Sequence, residues 1–276
     1  MMETPPSTTT SLSNDITPPS LLVVLAHPDD ESLACGGLLA WCAAIGIRVA
    51  LLCLTHGEYG QTNNRKSPRR SEALRDVRVA ELGKATRILG ITNVIIGDHE
   101  DGMLPWIDAS SIESDIRQAI NQLHPHVVIT FGADGLYWHP DHIAVHERTT
   151  SVVAALGDKA PALFYVTIPS GSMRAVVDHA AKIWANQNLT APSPRSILGV
   201  KDADAFGAKA AIPTLVIRTG KFSVQKLRAL NCHYSQYRDC ALTLVGTEDA
   251  PKLLGTEHYH RAGVGAKGPS FLEQFG

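Results

Sequence analysis

Positive charge is missing from the start of this chain: the first twenty residues contain no lysine or arginine. A secretory leader needs a basic start before an apolar middle, and a transit peptide needs arginines, so neither is expected. The same stretch is rich in Pro, Thr and Ser and cannot offset the entropy of ordering. Residues 1–20 are therefore expected to be a disordered tail ahead of a single domain over 21–276. Long apolar runs are also lacking. The charge-free stretch between Glu31 and Arg48 is broken by Gly36, Gly37 and Gly46 and falls short of the ~20 residues that span a bilayer. Cysteine is sparse and odd in number: Cys35, Cys42, Cys53, Cys232 and Cys240, with no Cys-x-x-Cys. That excludes a secreted disulfide scaffold and a cysteine zinc knuckle and, with no leader, implies a cytoplasmic protein. An excess of one charge is absent, since 25 basic residues face 27 acidic ones for a net −2. Such a balance gives nucleic acid and anionic membranes no electrostatic reason to bind. Against four methionines and four tryptophans stand twelve histidines. Histidine is the commonest metal ligand and titrates near neutral pH.

From residue 21 short β-rich runs alternate with helical segments. LLVVLA (21–26), RVALLCLT (48–55), NVIIG (93–97), HVVITFG (126–132) and ALFYVTI (162–168) read as strands, uniformly apolar as in sheets covered on both faces. Helices are expected over 31–46, 69–90 with Gly90 as the stop, 108–123 with Asp108 or Ser110 as cap, and 140–156 with Pro140 in the first turn. One more strand over 214–220 and one more helix over 223–237 complete the pattern. The alternation predicts an α/β domain of Rossmann-like form, a mostly parallel sheet with helices on both faces.

Ligands of such sheets bind beyond the carboxyl ends of the strands. The first strand runs into Ala26-His27-Pro28-Asp29-Asp30-Glu31, and the fourth leads to Tyr137-Trp138-His139-Pro140-Asp141-His142. The first turn lacks the glycines that let a backbone approach a pyrophosphate. Its three carboxylates repel phosphate and attract a cation. His27 and Asp30 can bind one ion, with His142 as the third ligand. Two imidazoles and a carboxylate with a position left for water suit catalytic zinc, and Fe²⁺ is the alternative in a cell. Asp29 beside them can act as general base. His139 can give a proton to the leaving group or stabilise an oxyanion as imidazolium. Asp141 can orient one of the imidazoles. Each segment alone also reads as helix caps and turn residues; both together, at the ends of separately predicted strands, favour a metal site.

These two segments resemble those of the LmbE-like, or PIG-L, family of zinc-dependent N-acetylglucosaminyl deacetylases. Thr55-His56-Gly57-Glu58-Tyr59-Gly60 resembles the family's Gly-Glu-x-Gly loop. Arg78, Glu81, Ala85, Leu89 and Gly90 match its helix pattern, and Asp101-Gly102-Met103 its acidic turn. Lys226, Ala229, His233, Ser235 and Gln236 resemble its late His-x-Ser-Gln element. The resemblance implies ligands His27, Asp30 and His142, the base Asp29, and His139 tuned by Asp141. It further implies that Arg78 and Asp101 hold sugar hydroxyls or the attached group, that Tyr137 closes over the scissile amide, and that His233 belongs to the pocket wall. The expected activity is hydrolysis of the N-acetyl amide of a small molecule containing N-acetylglucosamine. Trp138 departs from relatives that carry glycine there.

Three rival readings stand beside this one. An amidase on larger thiol conjugates shares the motifs. A non-haem iron oxygenase shares the ligand types, but its spacing differs and its usual home is a β-rich barrel. A non-catalytic sugar-binding protein would have no use for Asp29. A homo-oligomer is compatible with the sequence. His146 is expected to pack behind the site, and His56 to lie near it. His99, His124, His126, His179, His258 and His260 read as loop or surface residues.

Overall fold

A computed structural model describes residues 18–60, 70–187, 193–237 and 239–276. The expected tail falls outside the described residues as far as residue 17, but Ser20 already opens the first strand. Strand β1 (Ser20–Leu25) is buried along its whole length, as its uninterrupted apolar run requires. Helix α1 (Asp30–Ala44) follows, then β2 (Arg48–Thr55), α2 (Arg70–Leu89), β3 (Asn93–His99) and α3 (Ala109–Leu123). Next come β4 (Val127–Phe131), the single turn α4 (Gly135–Trp138), α5 (Pro140–Ala155), β5 (Ala162–Thr167) and α6 (Ser172–Asn186). Strand β6 (Leu215–Ile217), α7 (Ser223–Leu230), α8 (Ala250–Leu254) and β7 (Glu257–Gly265) close the fold. Gly90, at φ 75°, stops α2, and Asp108 caps α3 by accepting the Ser110 N–H.

Among the described residues the strands form one sheet in the order β3-β2-β1-β4-β5-β7-β6. The first five are parallel, with Val23 opposite both Leu51 and Ile129. Right-handed crossovers carry the chain outward from β1 to β3 and then back to β4, which sends α3 and α5 to the opposite face from α1 and α2. The order reverses between β1 and β4, and the loops after these two strands diverge there into a crevice.

Several elements differ from expectation: α4, α6 and α8 have no counterpart in the sequence pattern, and α7 ends at Leu230 rather than at 237. Strand β7 has no counterpart in the sequence reading. It pairs antiparallel with β5 and β6, so the parallel sheet carries an antiparallel margin, and the β6 segment shrinks to three residues. Helix α1 is interrupted at Cys35, whose φ and ψ are −146° and 15°. The break frees the N–H groups of Gly37 and Leu38, and both donate to Glu257 at the start of β7, at 2.8 and 2.9 Å. Lys226 Nζ and the Tyr259 hydroxyl also donate to this buried carboxylate, at 2.7 and 2.9 Å. Gly37 has to be glycine here, because a Cβ would lie 2.5 Å from Thr219 Oγ1. No helix among the described residues is long and apolar enough to cross a membrane.

Candidate metal centre

His27 leaves β1 and His142 sits in the first turn of α5, yet their rings meet: His27 Nδ1 and His142 Nε2 are 3.2 Å apart. Asp30 joins them, with Oδ2 3.5 Å from His27 Nδ1 and Oδ1 3.3 Å from His142 Nε2. All three are buried. Each imidazole commits its other nitrogen elsewhere. His142 Nδ1 lies 3.1 Å from the Gly135 carbonyl, which can only accept, so in the neutral ring Nε2 is a bare lone pair. His27 Nε2 lies 3.0 Å from both Asp101 Oδ1 and Asp141 Oδ2; again these only accept, and Nδ1 is left bare. Two lone pairs and a carboxylate thus aim at one point and repel unless a cation lies among them. Without metal that cation is a proton. Burial opposes it, but hydrogen bonds to Asp101, Asp141 and Asp30 win and hold His27 well above the usual imidazole range. Two nitrogens and one carboxylate oxygen suit a divalent metal of the zinc type. The His142 ring is set by stacking on Phe131, with centroids 3.9 Å apart.

His139 completes the group, one of its ring nitrogens lying within 4.8 Å of one nitrogen each of His27 and His142. The Asp141 N–H donates to His139 Nδ1 at 3.2 Å, so the neutral ring carries its proton on Nε2. Burial, then the neighbouring imidazoles, push its pKa down to about 4. These causes favour the neutral N–H form of His139 over the imidazolium, one of the two roles the sequence leaves open to it. Which imidazole the Asp141 side chain meets is open in the sequence. Its carboxylate orients neither His139 nor His142 but His27, and it also accepts the N–H groups of Gly102 and Leu104, at 2.8 and 3.1 Å. It is fully buried and is not among the residues that line the cavity beside this centre.

Asp29 opens α1 without capping it by its side chain and has φ 113°. A non-glycine residue held there stores about 1–3 kcal/mol of strain. The Pro28–Asp29 peptide is clamped at both ends. Arg78 Nη2 donates to the Pro28 carbonyl at 2.5 Å, and the Asp29 N–H donates to Glu31 Oε2 at 3.0 Å. Arg78 Nη2 also donates to Asp29 Oδ2 at 3.1 Å, and Nη1 to the Gly57 carbonyl at 2.9 Å. Gly57 leaves room for this, since a Cβ would lie 2.3 Å from the guanidinium. Burial, only partly offset by Arg78, pushes the Asp29 pKa up to about 7.

A cavity of about 460 Å³ opens onto these groups. His27, Asp29, Asp30, Arg78, Asp101, Tyr137 and His139 line its polar side, and Leu198, Gly199 and Val200 face them. The sequence reading missed this 197–200 wall. Asp101 does more than face the cavity. Burial alone would raise its pKa, but the hydrogen bond to His27 and the Tyr59 N–H bring it to about 2. Tyr137 packs between Phe206 and the imidazoles of His139 and His142. Trp138 is half exposed with φ 66° and is not among the lining residues. His146 packs behind, its Nδ1 on the Phe131 carbonyl. His56 lies beside Asp98, 3.8 Å from its carboxylate, and is not among the lining residues. His233, expected in the pocket wall, is fully buried instead. Its Nε2 donates to Glu31 Oε1 at 2.8 Å.

Comparison with known proteins agrees with this geometry. The family model described as PIG-L, GlcNAc-PI de-N-acetylase, matches residues 22–153, which hold every residue of the centre. A 1D-myo-inositol 2-acetamido-2-deoxy-alpha-D-glucopyranoside deacetylase from Actinosynnema mirum is 32% identical, over 91% of this chain and 94% of its own. In fold the chain is similar to N,N'-diacetylchitobiose deacetylase from Pyrococcus horikoshii. The TM-score is 0.57 at 18% identity, over 88% of this chain and 83% of that one. It is also similar to GalB, a 4-carboxy-2-hydroxymuconate hydratase from Pseudomonas putida, with a TM-score of 0.61 at 17% identity, over 91% and 99%. A hydratase on the same fold means that the fold alone does not decide the reaction. The convergent donors at the ends of β1 and β4, the span of the family model and the full-length deacetylase relative together place this chain in the PIG-L family of GlcNAc-PI de-N-acetylases.

Proposed function

We propose that this enzyme hydrolyses the N-acetyl amide of a glucosamine-containing small molecule, with zinc held by His27, Asp30 and His142. The observation that carries the reading is Asp29. Its buried carboxylate is held in a strained backbone beside three convergent metal donors, caps no helix by its side chain and faces the cavity. A sugar-binding protein would gain nothing from that strain, and the parallel sheet removes the barrel of the oxygenase alternative. Bound zinc supplies a Lewis acid and an acidified water. Asp29 accepts the proton of the attacking water and returns it to the amine nitrogen as the C–N bond breaks, giving acetate and the free amine, a task suited to a carboxylate whose pKa is raised toward neutrality. The Nε2–H of neutral His139 donates to the oxyanion that develops on the acetyl carbonyl. Arg78 orients Asp29, and Asp101 and Asp141 fix the His27 ring. Tyr137 and Asp101 line the space left for the sugar. The five free cysteines fit a reducing, cytoplasmic setting.

The test is release of a primary amine, read with fluorescamine, from N-acetylglucosaminides with inositol, phosphatidylinositol, chito-oligosaccharide or aryl aglycones. Chelation should stop release and zinc or Fe²⁺ should restore it. Release only from larger N-acyl thiol conjugates would favour the amidase reading. No release from any acylated amine, with one metal bound per chain, would refute both.

A further inference from the structure

His233 is fully buried and does not line the cavity, yet its polar chemistry points at the catalytic turn. Its Nε2 contacts Glu31 at 2.8 Å, and its Nδ1 has no partner among the described residues. Glu31 in turn takes the N–H of the strained Asp29, while Ser32 Oγ donates to Glu31 at 2.5 Å. The residues after His233 reach the other half of the clamp. Ser235 donates through N and Oγ to Glu81, at 2.8 and 2.7 Å, and Glu81 lies one helical turn beyond Arg78 on α2. The late His-x-Ser-Gln element thus grips both residues that hold the Pro28–Asp29 peptide: Glu31 directly, and Arg78 through its helix. Helix α7 stops at Leu230, short of the expected 237, and the turn that follows delivers His233 to Glu31.

We infer that His233 is a positioning residue for the hydrolysis, a latch that acts through Glu31 to hold the Asp29 backbone in its left-handed conformation. The inference rests on the general-base reading of Asp29. Released from the latch, the turn relaxes toward an ordinary helix start and carries the Asp29 carboxylate away from the attacking water. The metal donors remain, because among the described residues the side-chain hydrogen bonds of His27, Asp30 and His142 run to one another, to Asp101 and Asp141 and to Gly135 rather than to His233. The signature is a fall in kcat at constant KM and constant metal content. Displacements of about 1 Å cost around 10²-fold in rate, so His233→Phe should lose about 10- to 100-fold in kcat.

The experiment measures kcat, KM and zinc per chain for wild type, His233→Phe, His233→Gln, Glu31→Gln and the double variant Glu31→Gln/His233→Phe, with Asp29→Asn as reference. His233→Gln keeps a donor toward Glu31 and should recover part of the loss. The double variant should be no slower than the slower single one, since both act through one contact. Wild-type kcat in a folded, zinc-loaded His233→Phe overturns the latch. So does a raised KM with kcat intact, which would mark a pocket wall, or losses that multiply in the double variant. If His233→Phe does not fold, His233→Asn, too short to reach Glu31, is measured in its place. Turnover surviving in Asp29→Asn would instead overturn the general-base reading itself, whatever His233 does.

Discussion

Replacing Asp141 by asparagine changes a few atoms in a buried site and should be felt in two measurements. Oδ2 of Asp141 accepts two donors, the Gly102 N–H and His27 Nε2, and Oδ1 accepts one, the Leu104 N–H. An amide has one oxygen to offer. It settles where two donors meet it, so its NH₂ faces the Leu104 N–H across about 3 Å. One hydrogen bond is lost with its donor orphaned, and two drop from charge-assisted to neutral strength. Removing a buried charge returns part of this, and a net loss of about 2–4 kcal/mol in folding stability follows. His27 also becomes a weaker ligand. Loss of such an outer partner costs about 10- to 100-fold in metal affinity. Asp101 still accepts from the same Nε2 at 3.0 Å, so the effect falls toward the tenfold end, about 1.4 kcal/mol. Competition for zinc against a chromogenic chelator gives the affinity, and urea unfolding in chelator gives the metal-free stability. Wild-type values in both would refute the assignment. Lost stability with unchanged zinc affinity would mean that Asp141 supports the 102–104 turn rather than His27.

Asp29 should set a pH dependence in the metal-free protein. Its folded pKa of about 7 lies above the ordinary 3.8, so the stability it contributes is full below about pH 4 and is lost as pH rises through 7. In chelator, the Tm of Asp29→Asn minus that of wild type should therefore grow from pH 5 to pH 8; a difference that shrinks would reverse the sign. The Lys226–Glu257 pair is almost fully buried. Glu257→Gln alone should cost about 3–5 kcal/mol, and adding Lys226→Met should recover part of it. Urea midpoints of the three variants check this.

Four of the five parallel strands, β1, β2, β4 and β5, were readable because burial on both faces demands unbroken apolar runs; β3, at the sheet margin with no buried residue, was readable only from its short NVIIG run. Strand β7 was not, because EHYHRAGVG mixes histidines, an arginine and glycines; its partners, not its composition, make it a strand. The centre was readable for a related reason. His27, Asp30 and His142 sit in two short segments at strand ends, where topology brings them together. The sequence leaves open which imidazole Asp141 holds, because only the folded helix turns its carboxylate away from its neighbours and toward His27. Glu31 and His233 lie 202 residues apart, and nothing local to either announces the other. The wall at 197–200 comes from a two-residue turn closed by a pair of 2.9 Å backbone hydrogen bonds between Ile197 and Val200, a feature without periodicity.

The break in α1 bears on how the protein is made. A nascent chain has synthesised all three metal donors by residue 142, but the acceptor for the freed amides of Gly37 and Leu38 is Glu257, some 220 residues later. Until that residue leaves the ribosome, the first helix faces water with two donors exposed and Lys226 without its counter-ion. Vectorial synthesis therefore delivers the residues proposed to hold metal well before the first helix can be finished, and translation that stops ahead of β7 leaves the amides of Gly37 and Leu38 without that acceptor.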